Sequence, residues 1–308
     1  MSRTPSGLPL GQILIGDAAK RLADIPDDSV DMVLTSPPYF RLRDYQADGQ
    51  IGLEPHVDQW VDELTVVMAG LKRVLRPTGT LWLNLGDSYS THLSQGAARK
   101  SLLLGPERVA ARLLESGWIL RNKIIWAKAN PMPSSVRDRF TCGHEYVYVF
   151  AHADRYHFDL DAIRMAHRTT ARSGRAAVRT RPAREAWRGP NSDNASGLDG
   201  LHDRGLVGHP LGKNPGDVWT IPSSKFRGAH HATFPIELAR RAILAGCPPD
   251  GVVLDPFMGA GTTAVAAEQH GRRWLGIELN PDFAALANQR IAAARVRRQG
   301  ATPERRAA

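Results

Sequence analysis

The residues best suited to chemistry in this chain are Ser36, Pro37, Pro38 and Tyr39, which directly follow the apolar segment 31–34. We expect that segment to be a strand, so the tetrapeptide falls at its carboxyl end, where open α/β sheets hold ligands. Each proline fixes its own φ and keeps the preceding residue extended. The loop then presents carbonyl oxygens, a hydroxyl and an aromatic face. These groups can hold an exocyclic amine and stack on the ring of a nucleobase taken out of its helix.

A second segment whose residues could bind a ligand is 252–263. It has the pattern of a buried strand, a glycine turn and the start of a helix. Gly259 and Gly261 allow a positive φ and a close approach of backbone to a ligand. Asp255 closes the strand, where its carboxylate can accept hydrogen bonds from a ligand ammonium. A further apolar strand ends at Glu278, whose carboxylate can accept from both hydroxyls of a ribose.

Each segment alone admits another interpretation. The loop of Ser36 to Tyr39 is compatible with a Pro-Pro turn that ends a strand and carries a packing tyrosine. Gly-x-Gly followed by an acid at this spacing also fits a dinucleotide fingerprint. A nicotinamide-dependent oxidoreductase that uses Gly259, Gly261 and Glu278 therefore stays open, although it leaves the proline-rich loop without a role. A phosphate-binding P-loop is disfavoured because no Gly-Lys-Ser/Thr follows the glycines.

Taken together, Ser-Pro-Pro-Tyr and Asp-Pro-Phe-x-Gly-x-Gly-Thr-Thr resemble the motifs of the amino-group DNA methyltransferases. That family transfers methyl from S-adenosyl-L-methionine to N4 of cytosine or N6 of adenine. The catalytic motif comes first and the cofactor motif last, as in the beta class. The resemblance implies an α/β, Rossmann-like S-adenosylmethionine-dependent methyltransferase fold with circularly permuted motif order and an inserted target recognition region. It also implies a doubly wound sheet with a hairpin at one edge.

The resemblance also assigns roles to individual residues. The catalytic residues it implies are Ser36, Pro37, Pro38 and Tyr39. The cofactor-binding residues it implies are Asp17, Thr35, Phe234, Pro235, Asp255, Phe257, Gly259, Gly261, Thr262, Thr263 and Glu278. A hydrophobic staple at a helix start would explain Phe234 equally well. No metal site is expected, because His230 and His231 lack a third ligand at suitable spacing.

The segment 152–216 differs in composition from the rest of the chain. It is rich in Gly, Ser, Pro and Asn and has too few large apolar residues to build a core of its own. It lies where beta-class enzymes insert their target recognition region, which implies contact with DNA phosphates and base edges. The candidate DNA-binding residues are Arg41, Arg43, Arg172, Arg175, Arg179, Arg181 and Arg184. A solvated linker that reads no sequence is the alternative.

The elements that must position these residues follow from periodicity and from turn residues. Strands are expected at 12–15, 31–34, 80–85, 252–254 and 274–277, and β-rich segments at 120–128 and 145–151. Helices are expected near 57–75, 106–115, 236–245 and after Asn280-Pro281, with a frayed tail from Arg295 onward. Residues 1–151 would form the catalytic half of one methyltransferase domain and 217–296 its cofactor-binding half. Between them lies a partly mobile insert (152–216), and a basic tail (297–308) follows.

Composition agrees with a polyanionic partner. The 308-residue chain has a formal net charge of +9 and a pI near 9.9, although arginine-rich sequences from GC-rich genomes drift the same way. The two cysteines, Cys142 and Cys247, make no disulfide framework, which favours a reducing cytoplasm. No apolar run reaches membrane length, and residues 1–11 lack the apolar region of a signal peptide. Double-stranded DNA is the expected partner; a cognate restriction endonuclease and a homodimer stay open.

The target base and the activity itself have alternatives. In the resembled family, serine at the position of Ser36 is more often found in cytosine-N4 enzymes, and Asp or Asn in adenine-N6 enzymes. Methylation at cytosine C5 is disfavoured because it needs a thiolate nucleophile, and neither cysteine follows a proline. An inactive nucleic-acid-binding relative, and a variant that acts on RNA, also stay open.

Overall fold

The computed structural model describes residues 7–167, 209–223 and 233–300 of the chain. By its internal contacts the chain divides into a larger unit, Met1–Asp159 with Asp217–Ala308, and a smaller unit, Leu160–Gly216. Within the described ranges, we find no helix with the length and apolar character needed to span a membrane.

The larger unit is built on one eight-stranded sheet. Its strands are β1 (Ile13–Ile15), β2 (Val30–Thr35), β3 (Leu75–Leu85), β4 (Ile119–Lys128), β5 (His144–Ala151), β6 (Val218–Ile221), β7 (Val252–Asp255) and β8 (Arg273–Glu278). They lie in the order β1-β8-β7-β2-β3-β5-β4-β6. β5 runs antiparallel to both of its neighbours, and the other adjacent pairs are parallel. The sheet is therefore mixed, with its parallel half at the β1 side.

Helices connect these strands. They are α1 (Ala18–Leu22), α2 (Val57–Val74), α3 (Gly105–Glu115), α4 (Ile236–Gly246), α5 (Thr262–Gln269) and α6 (Pro281–Gly300). The helical spacing of apolar residues in α2 corresponds to its buried face, which includes Trp60, Leu64, Met68 and Leu71. At the start of α6, the Asn280 side chain accepts from a backbone N–H, as expected for its position before proline.

Strand order brings the two motif segments together although they lie far apart in the chain. β7 pairs with β2 in parallel register, Met32 opposite Val253 and Val33 opposite Leu254. β8 pairs with the other side of β7, and β1 with the far side of β8. The carboxyl ends of parallel strands lie at the same edge of a sheet. The residues that end or follow β1, β2, β7 and β8 therefore share one edge.

Three local expectations were wrong. The expected helix (57–75) and the expected strand (80–85) leave a connection between them that includes 77–79. In the structure, the backbone is already extended at Leu75, with φ −69° and ψ 134°, so β3 begins there and passes through 77–79. Helix α6 continues through Arg295, whose guanidinium Nε donates to Glu268 of α5 at 2.9 Å, so the chain is not frayed from there. The β4–β5 hairpin is not at the sheet edge, because β6 pairs with β4.

The smaller unit is described only in part. A short 3₁₀ turn, Asp161–Ile163, is followed by an antiparallel bridge between Met165 and Lys213. The Arg164 guanidinium joins these pieces, since it pairs with Asp161 at 2.5 Å and donates to the carbonyl of Gly212 at 3.1 Å. Five of the candidate DNA-binding residues lie outside the described residues, namely Arg172, Arg175, Arg179, Arg181 and Arg184. The recognition role of the predicted insert, 152–216, stays a prediction.

Candidate active site

The proline-rich loop follows β2 directly and is held from below by α2. The indole N–H of Trp60 donates to the carbonyl oxygen of Pro38 at 2.9 Å. The next residue but one, Phe40, is buried, and its ring centroid lies 6.3 Å from that of Trp60. The two prolines fix φ, and the hydrogen bond from Trp60 and the buried Phe40 ring attach the loop to the core. The loop is therefore rigid and has a defined geometry at the edge of the sheet.

Above the loop, polar side chains from four different segments form one hydrogen-bonded network. The Ser36 hydroxyl donates to the Tyr39 phenol oxygen at 3.2 Å, and that phenol donates to a Glu145 carboxylate oxygen at 2.7 Å. Glu145 also pairs with Lys128 at 2.6 Å and accepts from the Asn84 amide at 3.2 Å. Burial, and then the charge of Glu145, raise the pKa of Tyr39 well above its ordinary value. Tyr39 therefore remains a neutral donor at any working pH.

The Tyr39 ring packs against backbone at the end of β3. A Cβ atom added to Gly86 would come within 2.8 Å of its Cε2 atom, so any side chain there would displace the ring. Tyr39, Ser36 and Pro37 face a cavity, which we call the second cavity. Its other lining residues are Leu42, Arg43, Tyr45, Asn84, Trp126, Lys128, Glu145, Ser223, Thr233 and Phe234.

Asp255, at the end of β7, accepts hydrogen bonds from three donors of the protein itself. One carboxylate oxygen accepts from the Thr35 hydroxyl at 2.7 Å and the Phe257 N–H at 3.1 Å; the other accepts from the Thr263 hydroxyl at 2.6 Å. Asp255 is 2% exposed. Burial raises its pKa to about 6, and the three donors offset only part of that effect. Thr35 and Thr263 thus fix the Asp255 carboxylate, and neither is a lining residue of the second cavity or of the cavity over β7 and β8 that is described below.

The raised pKa of Asp255 makes a prediction about stability. A carboxyl group with a higher pKa in the folded than in the unfolded state stabilises the fold below its unfolded pKa, near 3.8, and that contribution is lost as the pH rises towards 6. We compare the free energy of unfolding of the wild type with that of Asp255→Asn. The wild-type value minus the variant value should fall by up to about 3 kcal/mol between pH 4 and pH 7. Urea unfolding of both proteins measures this difference, and a difference that grows with pH would contradict the expectation.

Glu278, at the end of β8, closes the glycine turn. One carboxylate oxygen accepts from the N–H of Gly259 at 2.7 Å, and the other from the N–H of Asn280 at 2.9 Å. Burial raises the pKa of Glu278, while these two N–H donors lower it. Each carboxylate oxygen can accept more than one hydrogen bond. The carboxylate therefore keeps acceptor capacity for the hydroxyls of a ligand.

The two glycines of the turn have different structural roles. Both have positive φ, +50° at Gly259 and +78° at Gly261, which only glycine adopts readily. A Cβ atom on Gly261 would lie 3.0 Å from Cβ of Ala287 in α6. Gly261 therefore permits α6 to pack on the turn, and its expected contact with the cofactor stays a prediction. Arg290 of α6 binds the carbonyl of Ala260, which fixes the turn further.

A first cavity opens over β7 and β8. Of the residues expected to bind the cofactor, those that line it are Asp17, Phe234, Asp255, Phe257, Gly259, Thr262 and Glu278. Pro235 is not among its lining residues but precedes α4 as its N-cap. Asp17 also caps α1, because its carboxylate accepts from the Lys20 N–H at 3.0 Å. Ser36 and Pro38 complete the wall on the side of the proline-rich loop.

The two cavities are neighbours. Ser36, Tyr45, Thr233 and Phe234 line both of them. Ser36 thus belongs to the wall that the two cavities share. The glycine turn and the proline-rich loop, separated by more than two hundred residues in sequence, border one continuous site.

Several residues of this site were missed from the sequence. Asn84, Lys128 and Glu145 come from the ends of β3, β4 and β5, and only the strand order shows that they meet. Tyr45 was not among the expected site residues, yet it lines both cavities, and its ring centroid lies 6.3 Å from that of Phe283. For Asn84, Lys128 and Glu145, the one sequence feature that could have indicated a site was a polar residue near the end of an apolar strand.

The candidate DNA-binding residues near the site are exposed. Arg41 lies just beyond Phe40 and donates to the carbonyl of Glu54 at 3.3 Å, while Arg43 lines the second cavity. His230 and His231 lie outside the described residues. Across the ranges that the structure does describe, no group of three or more His, Cys, Asp or Glu residues could hold a metal ion.

Comparison with known proteins shows the family to which the chain belongs. The family model described as "DNA methylase" for N6 and N4 methyltransferases matches residues 30–289. The chain belongs to the N6/N4 DNA methylase family. The type II methyltransferase M.Cfr9I of Citrobacter freundii is 35% identical over 90% of this chain and 86% of its own length. M.SmaI of Serratia marcescens is 34% identical over 93% of this chain and 92% of its own length.

Solved structures share the methyltransferase's fold. The PvuII DNA methyltransferase, described as cytosine-N4-specific, aligns with a TM-score of 0.62 and 20% identity over 94% of this chain and 95% of its own. A protein of Thermus thermophilus, solved in complex with S-adenosyl-L-methionine, aligns with a TM-score of 0.57 and 27% identity over 92% and 95% of the two chains. The predicted family, fold class and methyl donor are confirmed.

The residues of the first cavity fit S-adenosyl-L-methionine. Aromatic rings from Tyr45, Phe257 and Phe283 offer apolar surface to a flat adenine, and the Glu278 carboxylate keeps acceptor capacity for ribose hydroxyls. The Asp255 carboxylate adds negative charge to the same cavity, which suits a molecule with an ammonium and a sulfonium group. The assignment of single residues to parts of this molecule stays a prediction.

Proposed function

We propose that this DNA methyltransferase transfers methyl to the exocyclic N4 of cytosine in a short duplex sequence, after the cytosine has left the duplex. The observation that supports this most is that Ser36 lines both cavities. A donor in the first cavity and a base in the second would present their reacting atoms on either side of this residue. Positioning of this kind supplies a large part of the rate in transfer reactions.

The second cavity has the groups that an extruded cytosine needs. The Tyr39 ring provides a face for stacking, and the Ser36 hydroxyl and the Pro37 carbonyl accept the two hydrogens of the amino group. With both hydrogens held, the nitrogen lone pair points along the line of attack. Asn84 and Lys128, which both bind Glu145, line the same cavity.

In the first cavity, bound S-adenosyl-L-methionine supplies an electrophilic methyl group on sulfur. The amino nitrogen forms a bond to the methyl carbon while the carbon–sulfur bond breaks and its electron pair stays on sulfur. Positive charge develops on the nitrogen, and the Ser36 and Pro37 oxygens stabilise it more than they stabilise the neutral amine. No covalent bond between enzyme and base is needed.

The methylated nitrogen must then lose one proton, and the network above the loop offers a path. Ser36 donates to Tyr39, and Tyr39 donates to Glu145, so each hydroxyl is already oriented to pass a proton towards the carboxylate. The proton leaves the nitrogen to Ser36 as the hydroxyl hydrogens move one step along the chain. Glu145 ends the path as the protonated carboxyl group, beside Lys128.

Analysis of nucleosides tests the choice of base. DNA from cells that express the chain should contain N4-methylcytosine, and DNA from cells that express Tyr39→Ala should contain far less. N6-methyladenine in its place would overturn the choice of cytosine, and the absence of both would contradict the activity. Sequencing of the modified positions then gives the recognition sequence. If an endonuclease that cuts this sequence accompanies the enzyme, we expect the modification to block it.

The cysteines give a second test of direct transfer. Cys142→Ala should keep the methylation rate within about twofold of wild type, because its side chain is exposed and takes no part in the site. Cys247 is buried, and burial raises the pKa of its thiol, so it carries no thiolate for attack on a base. A single-turnover assay with labelled methyl donor measures this rate. A loss of a hundredfold or more in Cys142→Ala would support a covalent mechanism at C5.

A further inference from the structure

Phe140 is the most exposed large apolar residue among those described. Its side chain is 95% exposed, and all ten residues from 131 to 140 are exposed. Covering a phenylalanine side chain is worth about 1.5–3 kcal/mol, so leaving it in water forgoes that stabilisation. An exposed aromatic ring at the tip of a loop is therefore suited to contact with a partner.

The loop that carries Phe140, residues 129–143, is nevertheless held in place by the two residues that precede the ring. The Asp138 carboxylate pairs with Lys100 at 2.5 Å, and the Arg139 guanidinium lies 4.0 Å from the centre of the Tyr89 ring. Arg139 also donates to the carbonyl of Phe140 at 3.1 Å. These contacts anchor the neighbours of Phe140 and leave its ring pointing into solvent.

The position of the loop relates Phe140 to the second cavity. The loop joins β4 to β5, and the residues next to it on these strands, Trp126, Lys128 and Glu145, line that cavity. The loop thus starts and ends at the wall of the space in which the extruded base would lie. It is placed to meet the duplex from which that base comes.

The charges around Phe140 suit a polyanion. Arg137 and Arg139 precede it in sequence, and Arg99 and Lys100 belong to the segment to which the loop is anchored; all four are exposed. Arginine and lysine side chains around an apolar tip bind the phosphates on either side of a base step. Apolar side chains inserted between bases are a known means of unstacking a duplex.

We propose that Phe140 inserts into the base stack of duplex DNA and occupies the gap that the extruded base leaves. The inference rests on the proposed function, since it assigns a partner surface to the same reaction. The ring would stack on the neighbouring bases and replace the lost base–base contact, while the arginines hold the backbone. Extrusion would thereby become easier without any change in the methyl transfer itself.

Two DNA substrates separate this role from others. Both carry the recognition sequence, one with the target cytosine paired to guanine and one with it opposite an abasic site, where no partner holds it in the stack. Single-turnover methylation is measured for wild type, Phe140→Ala, Phe140→Trp and Leu93→Ala. Leu93 is a matched control, because its side chain is 72% exposed and lies outside the loop.

Phe140→Ala should lose on the order of tenfold or more on the paired substrate and stay within about twofold of wild type on the abasic one. Phe140→Trp and Leu93→Ala should resemble wild type on both. Wild-type activity of Phe140→Ala on the paired substrate would overturn the inference, as would an equal loss on both substrates. If wild type methylates cytosine in neither substrate, the proposed function itself fails; the two failures are thus distinguishable.

Discussion

Replacing Tyr39 by alanine is expected to lower kcat/KM for DNA methylation by about ten- to a hundredfold, because base–aromatic stacking is worth about 1–3 kcal/mol per base. In the proposed function the ring is the stacking face of the second cavity, and its removal also breaks the hydrogen-bonded chain from Ser36 to Glu145. Steady-state kinetics on duplex DNA measure the loss. Turnover close to that of wild type would contradict both the stacking role and the proton path.

Tyr39→Phe separates these two roles. It keeps the ring against Gly86 but removes the hydroxyl that joins Ser36 to Glu145. We expect KM for DNA near the wild-type value and a kcat reduced by less than in Tyr39→Ala. Glu145→Gln should resemble Tyr39→Phe if the carboxylate accepts the proton. Unchanged kcat in both variants would show that the proton leaves by another route.

Replacing Glu278 by glutamine is expected to weaken S-adenosyl-L-methionine binding by about ten- to a hundredfold, since hydrogen bonds to a charged group contribute about 1.5–3 kcal/mol. The amide keeps the size of the side chain, but its NH2 group replaces an acceptor by a donor at one of the two positions where the carboxylate accepts from Gly259 and Asn280. Isothermal titration calorimetry with the cofactor measures the effect without any DNA.

The matched control for this variant is Glu63→Gln, which removes the same charge from an exposed position on α2. It should bind the cofactor as wild type does. If Glu278→Gln binds equally well, the carboxylate has no contact with the cofactor and acts only in holding the turn. Melting temperatures of both variants show whether either one has lost its fold.

The central part of the site was predictable from the sequence because it depends on local rules. Ser36, Asp255 and Glu278 each stand at the end of an apolar segment, and such segments in an α/β chain become parallel strands. Their carboxyl ends must then share an edge. The spacing of apolar residues likewise gave α2 its bounds to within a residue.

The rest of the site depends on contacts that no local rule contains. Glu145 meets Tyr39 only because β5 runs antiparallel beside β3, with Tyr146 opposite Leu85. Gly261 has the positive φ that the sequence predicts, yet the close contact it permits is with Ala287 of a helix. Distant partners of this kind are set by the packing of the whole sheet, which a single sequence does not specify.

Transfer of an isotopically labelled methyl group tests the central claim most directly. The purified protein is incubated with unmethylated duplex DNA and S-adenosyl-L-methionine that carries a deuterated methyl group, and the DNA is digested and analysed by mass spectrometry. The account predicts the full label on N4-methylcytosine, at a rate that falls in Tyr39→Ala. Label on C5 of cytosine, on adenine, or in no nucleoside at all would contradict it.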